Sequence, residues 1–419
     1  MTMDRNLLQK LFELAVERAQ PARAVAQFLP EPPKGRTIVI GAGKASAQMA
    51  RALELAWPGE LSGLVVTRYG YAEKCERIEI VEAAHPVPDQ AGHVAARRLE
   101  DLVSGLGADD LAIALISGGG SALLPAPAPG LTLEDEQAIN RALLASGAPI
   151  GVMNLIRNQF STIKGGRLAA RAAPARVATL VVSDVPGDDP ALVASGPTLP
   201  INGSRAEARR LAALYRLDLP EAAQRLLESE DNPAPRADDP VFAQNSSATI
   251  ASAALSLQAA AEHARASGIA AAILSDAIEG EARDVALVHA AMAREVQLRD
   301  QPFARPVVLL SGGETTVTLR GKGRGGRNGE FLLSLAIALD GAEGITALAG
   351  DTDGIDGSED NAGAFVDGSS ARRMREAGID PQAALANNDA YGAFEAIGDL
   401  FVTGPTGTNV NDFRAILVR

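Results

Sequence analysis

The segment TIVIGAGKAS, residues 37–46, decides the fold of this chain, because a short apolar run ends there in two glycines and leads into a helix-forming sequence. The run lacks alternating polar residues, so it predicts a strand that is buried on both faces. A buried strand that ends in a glycine turn and continues as a helix is the first part of a β–α–β unit. The segment therefore predicts an α/β fold with a mostly parallel, Rossmann-like sheet.

The same pattern recurs along the rest of the chain. Helices are predicted at 4–19 and 246–267, and further buried strands at 63–67, 78–83, 111–116, 176–184, 270–274, 306–311, 345–350 and 399–403. The acidic, proline-rich segment 228–243 is typical of an exposed linker or domain edge. We therefore predict two α/β/α domains, 1–240 and 241–419, both with mostly parallel sheets and with an active-site cleft between them.

The composition excludes several functional classes. The 419 residues include 39 basic and 52 acidic side chains, which give a net charge of −13 that repels nucleic acid. The single cysteine, Cys75, forms no internal disulfide, and no uncharged apolar run is long enough for a membrane span. These features predict a cytoplasmic enzyme that binds small molecules, with no nucleic-acid or membrane partner. The sequence leaves open whether the chain forms a homodimer.

Two glycine-rich turns are predicted to follow buried strands, at the edge where parallel sheets bind their ligands. In GAGKAS, residues 41–46, Lys44 is a cation that can contact a phosphate or a carboxylate. In SGGGS, residues 117–121, the backbone N–H groups can form an anion-binding nest. The alternative is that both are only tight strand–helix turns. The candidate binding residues are Gly41, Gly43, Ser117, Gly118, Gly119, Gly120 and Ser121.

Aspartates follow two other predicted strands. Asp184 and Asp189 lie in the segment 183–198, and Asp351 and Asp353 follow the strand at 345–350. Carboxylates in such positions suit Mg²⁺ when phosphates complete the coordination, and one of them could act as a general base. Turns stabilised by aspartate hydrogen bonds are the alternative. The sequence does not separate the metal ligand from the base.

The segment LRGKGRGGRNGE, residues 319–330, carries four cations among glycines in an acidic chain. The pattern predicts a flexible loop that closes over phosphates, because arginine recognises their oxygens with two parallel hydrogen bonds. A solvated basic loop is the alternative. Glycine nests, clustered aspartates and a basic loop together favour phosphoryl transfer, which depends on positioning, a metal ion and cations.

The ordered motifs GAGKAS, SGGGSALL, SDVPGDDPALVASGPT, GGETTVTLRGKGRGGRNGE and AGDTDGIDG resemble the glycerate 2-kinase family, whose C-terminal MOFRL region would cover about 305–415. The resemblance implies a kinase that uses ATP and Mg²⁺ to phosphorylate D-glycerate at its 2-hydroxyl, giving 2-phosphoglycerate and ADP. It implies that Lys44 and Arg327 are catalytic, with Arg324 as a rival for the arginine. Arg324, Asn328 and Glu330 are further candidates for contact with ATP or substrate.

Two other functions compete with this interpretation. Some members of the family carry the name hydroxypyruvate reductase, and GAGKAS partly matches the G-x-G-x-x-G fingerprint of an NAD(P)H-binding enzyme. Against this, Ser46 stands in place of the third glycine, and Thr67 and Arg68 stand where the fingerprint expects an acid. A non-catalytic regulator that binds a phosphorylated ligand would use the same turns but would not need the aspartates.

Overall fold

Packing divides the chain into two units, each built around one sheet. The structure is a computed structural model, and it describes residues 2–185 and 187–419, so Pro186 in the predicted segment 183–198 lies outside the described residues. The N-terminal unit is Pro21–Ile250, and the C-terminal unit combines Ala251–Arg419 with the residues that precede Pro21. The predicted boundary at 240/241 therefore differs from the division by packing, which occurs ten residues later at 250/251.

The N-terminal unit has six strands and nine α-helices within its described residues. The strands are β1 (Thr37–Ala42), β2 (Ser62–Arg68), β3 (Ile78–Ala83), β4 (Leu111–Ser117), β5 (Arg176–Val182) and β6 (Ser246–Ala251). The helices are α2 (Pro21–Gln27), α3 (Ser46–Ala56), α4 (Gln90–Val103), α5 (Gly120–Leu123), α6 (Leu133–Ala145), α7 (Ile150–Asn158), α8 (Arg167–Ala172), α9 (Arg205–Leu214) and α10 (Glu221–Glu228).

The N-terminal sheet has the strand order β3-β2-β1-β4-β5-β6. The pairs β1–β2, β2–β3, β1–β4 and β4–β5 are all parallel, as predicted. The chain builds outward from β1 through β2 to β3, and then returns to place β4 on the other side of β1. This reversal makes a topological switch point between β1 and β4, and the turns that follow these two strands lie side by side.

Two apolar clusters hold the N-terminal unit together. In one, helices α4 and α8 pack against the sheet through residues such as Leu99 and Leu168, beside Ile40 and Ala114. The other joins helices α6, α7, α9 and α10 away from the sheet, around Phe160. The helices of this second cluster supply side chains behind the turn that follows β4.

The C-terminal unit also has six strands. They are β7 (Ala270–Glu281), β8 (Val307–Thr316), β9 (Ile345–Asp351), β10 (Gly363–Asp367), β11 (Leu400–Phe401) and β12 (Asp412–Val418). Its helices are α1 (Thr2–Arg18), α11 (Ala253–Ala266), α12 (Ala282–Arg299), α13 (Arg327–Ala338), α14 (Ser370–Glu376), α15 (Pro381–Ala386) and α16 (Ala390–Glu395). The predicted helix at 246–267 is thus split into β6 and α11, and Ser252 caps α11 by accepting a hydrogen bond from the N–H of Leu255.

The second sheet is largely antiparallel, so the prediction of a mostly parallel sheet is wrong for this unit. Its order is β11-β10-β9-β12-β8-β7. Strand β12 runs antiparallel to both of its neighbours, and β10 runs antiparallel to β9 and β11, whereas β7 pairs with β8 in parallel. The connection from β9 to β10 contains no helix, and without a crossover a chain returns beside its own strand in the antiparallel direction.

Helix α1 packs in the C-terminal unit, although the sequence places it in the first predicted domain. Its apolar face, which includes Leu8 and Phe12, is buried beside α11 and the second sheet. The ring of Phe12 lies edge-to-face with Phe401 and Phe413, at centroid distances of 5.0 and 5.7 Å. Arg5 adds an ion pair with Asp399 at 2.6 Å. The second sheet therefore depends on the beginning of the chain for one of its covering helices.

Replacing Phe12 by Ala is expected to destabilise the C-terminal unit by about 3–5 kcal/mol, because it removes a fully buried aromatic ring and leaves a cavity. Chemical denaturation followed by circular dichroism measures the change. The matched control is Gln9→Ala on the exposed face of α1, with an expected change within about 0.5 kcal/mol. Equal stability of the two variants would contradict the packing of α1 described above.

Candidate functional site

The turns that follow β1 and β4 are joined directly by hydrogen bonds. The N–H of Lys44 donates to the carbonyl of Gly118 at 2.9 Å, and the N–H of Ala45 donates to Oγ of Ser117 at 3.0 Å. Oγ of Ser46 donates to the carbonyl of Leu115 at 2.9 Å. These bonds fix GAGKAS against SGGGS, so the two predicted motifs form one site at the switch point.

Glycine is required where the two turns touch. A Cβ on Gly43 would lie 2.1 Å from Oγ of Ser117, and the φ of Gly43 is +142°. A Cβ on Gly41 would lie 2.3 Å from the carbonyl oxygen of Leu115. No real Cβ tolerates such distances, and a side chain at position 43 would also be strained by its backbone conformation. The first two glycines of GAGKAS therefore serve the approach of β1 to β4.

Three side chains gather around the glycines of SGGGS. A Cβ on Gly119 would lie 3.2 Å from Cε of Lys44 and 3.2 Å from the imidazole ring of His85. A Cβ on Gly118 would lie 1.7 Å from a carboxylate oxygen of Asp184. The structure therefore brings Lys44, His85 and Asp184 to one glycine turn. We call this group, residues 117–121 with these three side chains, the glycine-turn site.

The charge of the glycine-turn site suits an anion. Lys44 is half-buried, and none of the ion pairs formed within residues 2–185 and 187–419 includes it. Burial, together with the positive charges of Lys44 and Arg68, lowers the pKa of His85 to about 4, so this imidazole is neutral at physiological pH. Lys44, which has no ion-pair partner among the described residues, thus lies beside a neutral imidazole and a turn rich in backbone N–H groups.

The two aspartates predicted after β5 lie in different environments. Asp184 lies in contact with Gly118 of the glycine-turn site. Asp189 is exposed, and its carboxylate accepts a hydrogen bond from the N–H of Ala191 at 3.0 Å, as in an ordinary turn. Within the described part of the chain, no group of three or more His, Cys, Asp or Glu side chains could hold a metal ion without other ligands.

Sequence reasoning missed a polar network behind the glycine-turn site. Oγ of Ser121 lies 2.7 Å from Oγ of Ser195, and Ser195 contacts Asn154 and Arg157 on helix α7. Ser195 adopts a left-handed backbone conformation with a φ of +60°, which is strained for a residue with a side chain. Nothing in the sequence pattern marks Asn154 or Arg157, because they lie on a helix of ordinary composition.

In the C-terminal unit, a cluster of carboxylates surrounds Arg327 at the start of α13. Its guanidinium donates to Asp412 at 2.6 Å, to Asp351 at 2.7 Å and to Glu314 at 3.0 Å. Asp353 lies beside them, and its N–H donates to Asp351 at 3.1 Å. We call this group the arginine–carboxylate cluster, and it has more negative than positive charge.

Burial raises the pKa of two carboxyl groups near Arg327, those of Asp351 and Asp356. Burial and the charges of Asp353 and Asp412 raise the pKa of Asp351, although Arg327 opposes the shift. Burial likewise raises the pKa of Asp356 to about 6, although the backbone N–H groups of Asn328 and Gly329 donate to it. A carboxyl with a raised pKa is a candidate for proton transfer at neutral pH.

Asp412, at the centre of the cluster, was not predicted as a site residue. It is fully buried and accepts hydrogen bonds from Arg327, Asn328 and Arg414. The polar loop GPTGTNVND, residues 404–412, carries the signal that could have found it, since this loop ends in Asp412. The pairing of β12 with β8 and β9 brings Asp412 to Arg327, and that pairing is not evident in the sequence.

The basic loop before Arg327 packs closely against the segment that precedes α16, and its closure over phosphates stays a prediction. A Cβ on Gly321 would lie 2.3 Å from the carbonyl oxygen of Asn387, and a Cβ on Gly323 would lie 2.4 Å from Cβ of Asp389. These glycines therefore allow close packing against the segment that precedes α16. Arg324 is exposed, lies over the ring of Tyr391 at 4.6 Å and pairs with Glu395 at 3.1 Å. Arg324 therefore makes surface contacts, whereas Arg327 is largely buried among carboxylates.

The other two candidates on α13 have structural partners. Glu330 is almost fully buried, accepts from Nε of Arg283 at 2.8 Å and accepts from Nδ2 of Asn388 at 2.8 Å. Asn328 is fully buried, and its Nδ2 donates to Asp412 at 2.9 Å. Asn328 therefore braces the arginine–carboxylate cluster through Asp412, whereas Glu330 holds Arg283 and Asn388.

The fold and the glycine-turn site define an α/β protein with a glycine-rich, lysine-containing site at its switch point, and comparisons with known proteins identify its family. A family model described as a domain of unknown function (DUF4147) matches residues 7–228, and the MOFRL family matches residues 307–412. A protein of Thermotoga maritima named D-glycerate 2-kinase is 39% identical over 410 residues, which cover 97% of each chain. A crystal structure of a glycerate kinase from Thermotoga maritima aligns with a TM-score of 0.91 and 38% identity over 100% of both chains.

The chain belongs to the glycerate 2-kinase family, which has the MOFRL region at its C-terminal end. One relative carries another name: a protein of Agrobacterium vitis, 54% identical over 417 residues that cover 99% of this chain and 94% of its own, has the provisional name hydroxypyruvate reductase. Within the described residues, no helix is long and apolar enough to cross a membrane.

Replacing Gly118 by Ala tests the contact between the glycine turn and Asp184. The added methyl group would overlap the carboxylate, so we expect a loss of about 1–3 kcal/mol in the free energy of unfolding. The control is Gly151→Ala in helix α7, where a Cβ would meet nothing within 4 Å. The control should have unchanged or slightly higher stability, because alanine favours a helix more than glycine does. A stable Gly118→Ala variant would show that Asp184 does not pack on the turn.

Proposed function

We propose that this protein transfers the γ-phosphoryl group of ATP to the 2-hydroxyl of D-glycerate, giving 2-phosphoglycerate and ADP. Membership of the glycerate 2-kinase family supports this function. The observation that carries it is the position of Lys44, a cation without an ion-pair partner among the described residues, beside the glycine turn at the switch point. Such an arrangement binds phosphate or carboxylate oxygens.

In the proposed reaction, the 2-hydroxyl oxygen forms a bond to the γ-phosphorus while the bond between this phosphorus and the β–γ bridging oxygen breaks. The hydroxyl proton passes to a base, and ADP leaves. The protein contributes mainly positioning and positive charge, because the transferring group carries dispersed negative charge. Lys44 and Arg327 would stabilise that charge, and the backbone N–H groups of residues 117–121 would hold a phosphate or the substrate carboxylate.

Asp184 and Asp351 are the carboxylates best placed for the remaining tasks. Asp184 contacts the glycine turn beside which Lys44 lies. Asp351 already contacts Arg327, and its raised pKa suits a group that takes up a proton near neutral pH. Asp189 and Asp353 remain proposed alternatives for the same two tasks.

The donor set at the glycine-turn site fits Mg²⁺ only together with nucleotide phosphates. Mg²⁺ in kinases is held by one or two carboxylates plus phosphate oxygens and water, and Asp184 is one such carboxylate beside a phosphate-binding turn. When bound, the ion would neutralise the charge that develops on the phosphates. Asp184 would hold it, and Lys44 would bind the phosphate oxygens that the ion leaves free.

An NAD(P)H-dependent hydroxypyruvate reductase is the second candidate, because the N-terminal strand order is also that of dinucleotide-binding folds. Two contacts weigh against it. Ser46 replaces the third glycine, and its Oγ is fully buried and bonded to Leu115. Thr67 lies near the end of β2, where such folds place the acid that binds the ribose, and its Oγ1 lies 3.4 Å from the carbonyl of Lys44.

Two parallel assays separate the two functions. The protein is incubated with ATP, Mg²⁺ and D-glycerate, and ³¹P NMR distinguishes 2-phosphoglycerate from 3-phosphoglycerate. We expect 2-phosphoglycerate and an equal amount of ADP. In parallel, the oxidation of NADH and NADPH is followed with hydroxypyruvate as substrate. Oxidation of either cofactor without phosphorylation of glycerate would replace the kinase proposal by the reductase.

Three variants test the proposed cations. Lys44→Ala should lower kcat by about 100- to 1,000-fold, because it removes a positive charge that acts on the transferring group. Arg327→Lys retains a charge among the carboxylates but loses the planar donor set, and we expect kcat to fall at least about tenfold. Arg324→Ala, the matched control, should alter kcat by less than about twofold, since Arg324 makes exposed contacts.

The thermal midpoint of each variant separates catalysis from folding, and it should stay close to that of the wild type for Lys44→Ala. If Lys44 and Arg327 act on the same phosphoryl group, the double variant should lose less activity than the product of the two single losses. Wild-type turnover of Lys44→Ala, or a greater loss in Arg324→Ala than in Arg327→Lys, would refute the assigned roles.

A further inference from the structure

The polar network behind the glycine turn runs from the surface of the site into the helical cluster. Ser121 is partly exposed, whereas Ser195 and Asn154 are fully buried. Oγ of Ser121 lies 2.7 Å from Oγ of Ser195, which donates to Oδ1 of Asn154 at 2.8 Å. Nδ2 of Asn154 donates to the carbonyl of Leu192 at 2.8 Å. Four groups are thus linked in a chain that begins at the proposed substrate site.

The direction of every hydrogen bond in this chain is determined. Since Nδ2 of Asn154 donates to a carbonyl, the atom that faces Ser195 is Oδ1, which can only accept. Ser195 must therefore direct its proton toward Asn154. The short contact between the two serines is then a hydrogen bond only if the hydroxyl of Ser121 donates to Ser195.

Arg157 reinforces this direction. Its Nη1 donates to Oδ1 of Asn154 at 2.5 Å and to Oγ of Ser195 at 3.3 Å, and its Nε donates to Asn140 at 2.9 Å. A guanidinium only donates, so its contacts require both oxygens to accept. Only 8% of Arg157 is exposed. None of the ion pairs within the described residues includes Arg157, so neutral oxygens hold it in place.

Ser121 therefore presents lone pairs, rather than a proton, to the site. Because Ser121 donates its own proton to Ser195, its Oγ is left to accept hydrogen bonds from a ligand. It cannot act as a base, because the chain behind it ends at a peptide carbonyl and at a guanidinium, and neither takes up a proton at neutral pH. Lone pairs also repel the oxygens of a phosphate or carboxylate. The group that suits Ser121 is a hydroxyl that donates a hydrogen bond and keeps its proton.

We propose that Ser121, oriented by Ser195, Asn154 and Arg157, accepts a hydrogen bond from the hydroxyl of the acid substrate that does not react. The inference rests on the proposed function, in which the 2-hydroxyl of D-glycerate takes the phosphoryl group and the 3-hydroxyl is the group that keeps its proton. Ser121 is then a specificity-determining residue, and Ser195, Asn154 and Arg157 are positioning residues. A site of this kind discriminates against an analogue that lacks the hydroxyl, because Oγ of Ser121, which is partly shielded from water, then loses its donor.

The test compares D-glycerate with D-lactate, which lacks only the 3-hydroxyl. The quantity measured is the inhibition constant of D-lactate divided by the KM of D-glycerate, both at saturating ATP. In Ser121→Ala, the KM of D-glycerate should rise about tenfold. The inhibition constant of D-lactate should stay within about twofold, because D-lactate has no 3-hydroxyl that could lose its hydrogen bond to Ser121. The ratio should therefore fall about tenfold, while the KM of ATP stays the same.

Ser195→Ala tests the positioning role separately. Without Ser195 Oγ, the hydroxyl of Ser121 can rotate and point its proton into the site, so the ratio should again fall. A merely structural loss would weaken both ligands equally and leave the ratio unchanged. Should Ser121→Ala fail to fold, Ser195→Ala provides the same measurement.

The matched control is Ser204→Ala. Ser204 is an exposed serine that caps α9 by accepting from the N–H of Glu207 at 3.1 Å. This variant should lower the unfolding midpoint slightly and leave the ratio unchanged.

An unchanged ratio in Ser121→Ala, or a raised KM for ATP in place of D-glycerate, would overturn the inference. The second result would assign the hydrogen bond to a nucleotide hydroxyl. Failure of the proposed function is distinguishable from both, since a wild-type protein that does not phosphorylate D-glycerate has no KM for it.

Discussion

The approach of β1 to β4 is the constraint on which the N-terminal site depends. Gly41 and Gly43 let the first strand and its turn lie against Leu115 and Ser117 at distances that exclude a side chain. Because the two strands are parallel, both turns lie at the same edge of the sheet. The hydrogen bond from Lys44 to Gly118 follows from that contact, and it brings a cation to a turn of three successive glycines.

The glycine-turn site and the arginine–carboxylate cluster differ in the arrangement of their charges. In the glycine-turn site, Lys44 has no ion-pair partner within the described residues and the pKa of His85 is lowered, so the site favours an anion. In the arginine–carboxylate cluster, Arg327 is held by three carboxylates, and the pKa of Asp351 is raised by burial and its acidic neighbours. The first arrangement suits a phosphate or carboxylate, and the second offers a carboxyl group that can hold or release a proton. A phosphoryl-transfer enzyme needs both properties.

Strand β4 begins where the apolar run predicts it and is buried along its whole length. Strand β3 also lies where it is predicted, but as the edge strand it is only partly buried, so the prediction of a buried strand is wrong for β3. The second sheet was predicted with the wrong strand direction, since apolar runs do not record whether a neighbour is parallel or antiparallel. The glycines of the basic loop are predicted to be hinges, whereas Gly321 and Gly323 lie in close contact with residues 387–389.

The sequence by itself determined the α/β class and the glycine turns at the ends of strands. It also identified Lys44, Arg327 and the aspartates after β5 and β9 as candidate site residues. All of these depend on local patterns of apolar, glycine and charged residues. Only the tertiary structure decided that Asp412 faces Arg327, that α1 covers the second sheet, and that Asn154 and Arg157 orient Ser121. Each of these contacts joins residues that are distant in the chain. Their proximity results from strand pairing and helix packing, and a local sequence pattern does not specify either of them.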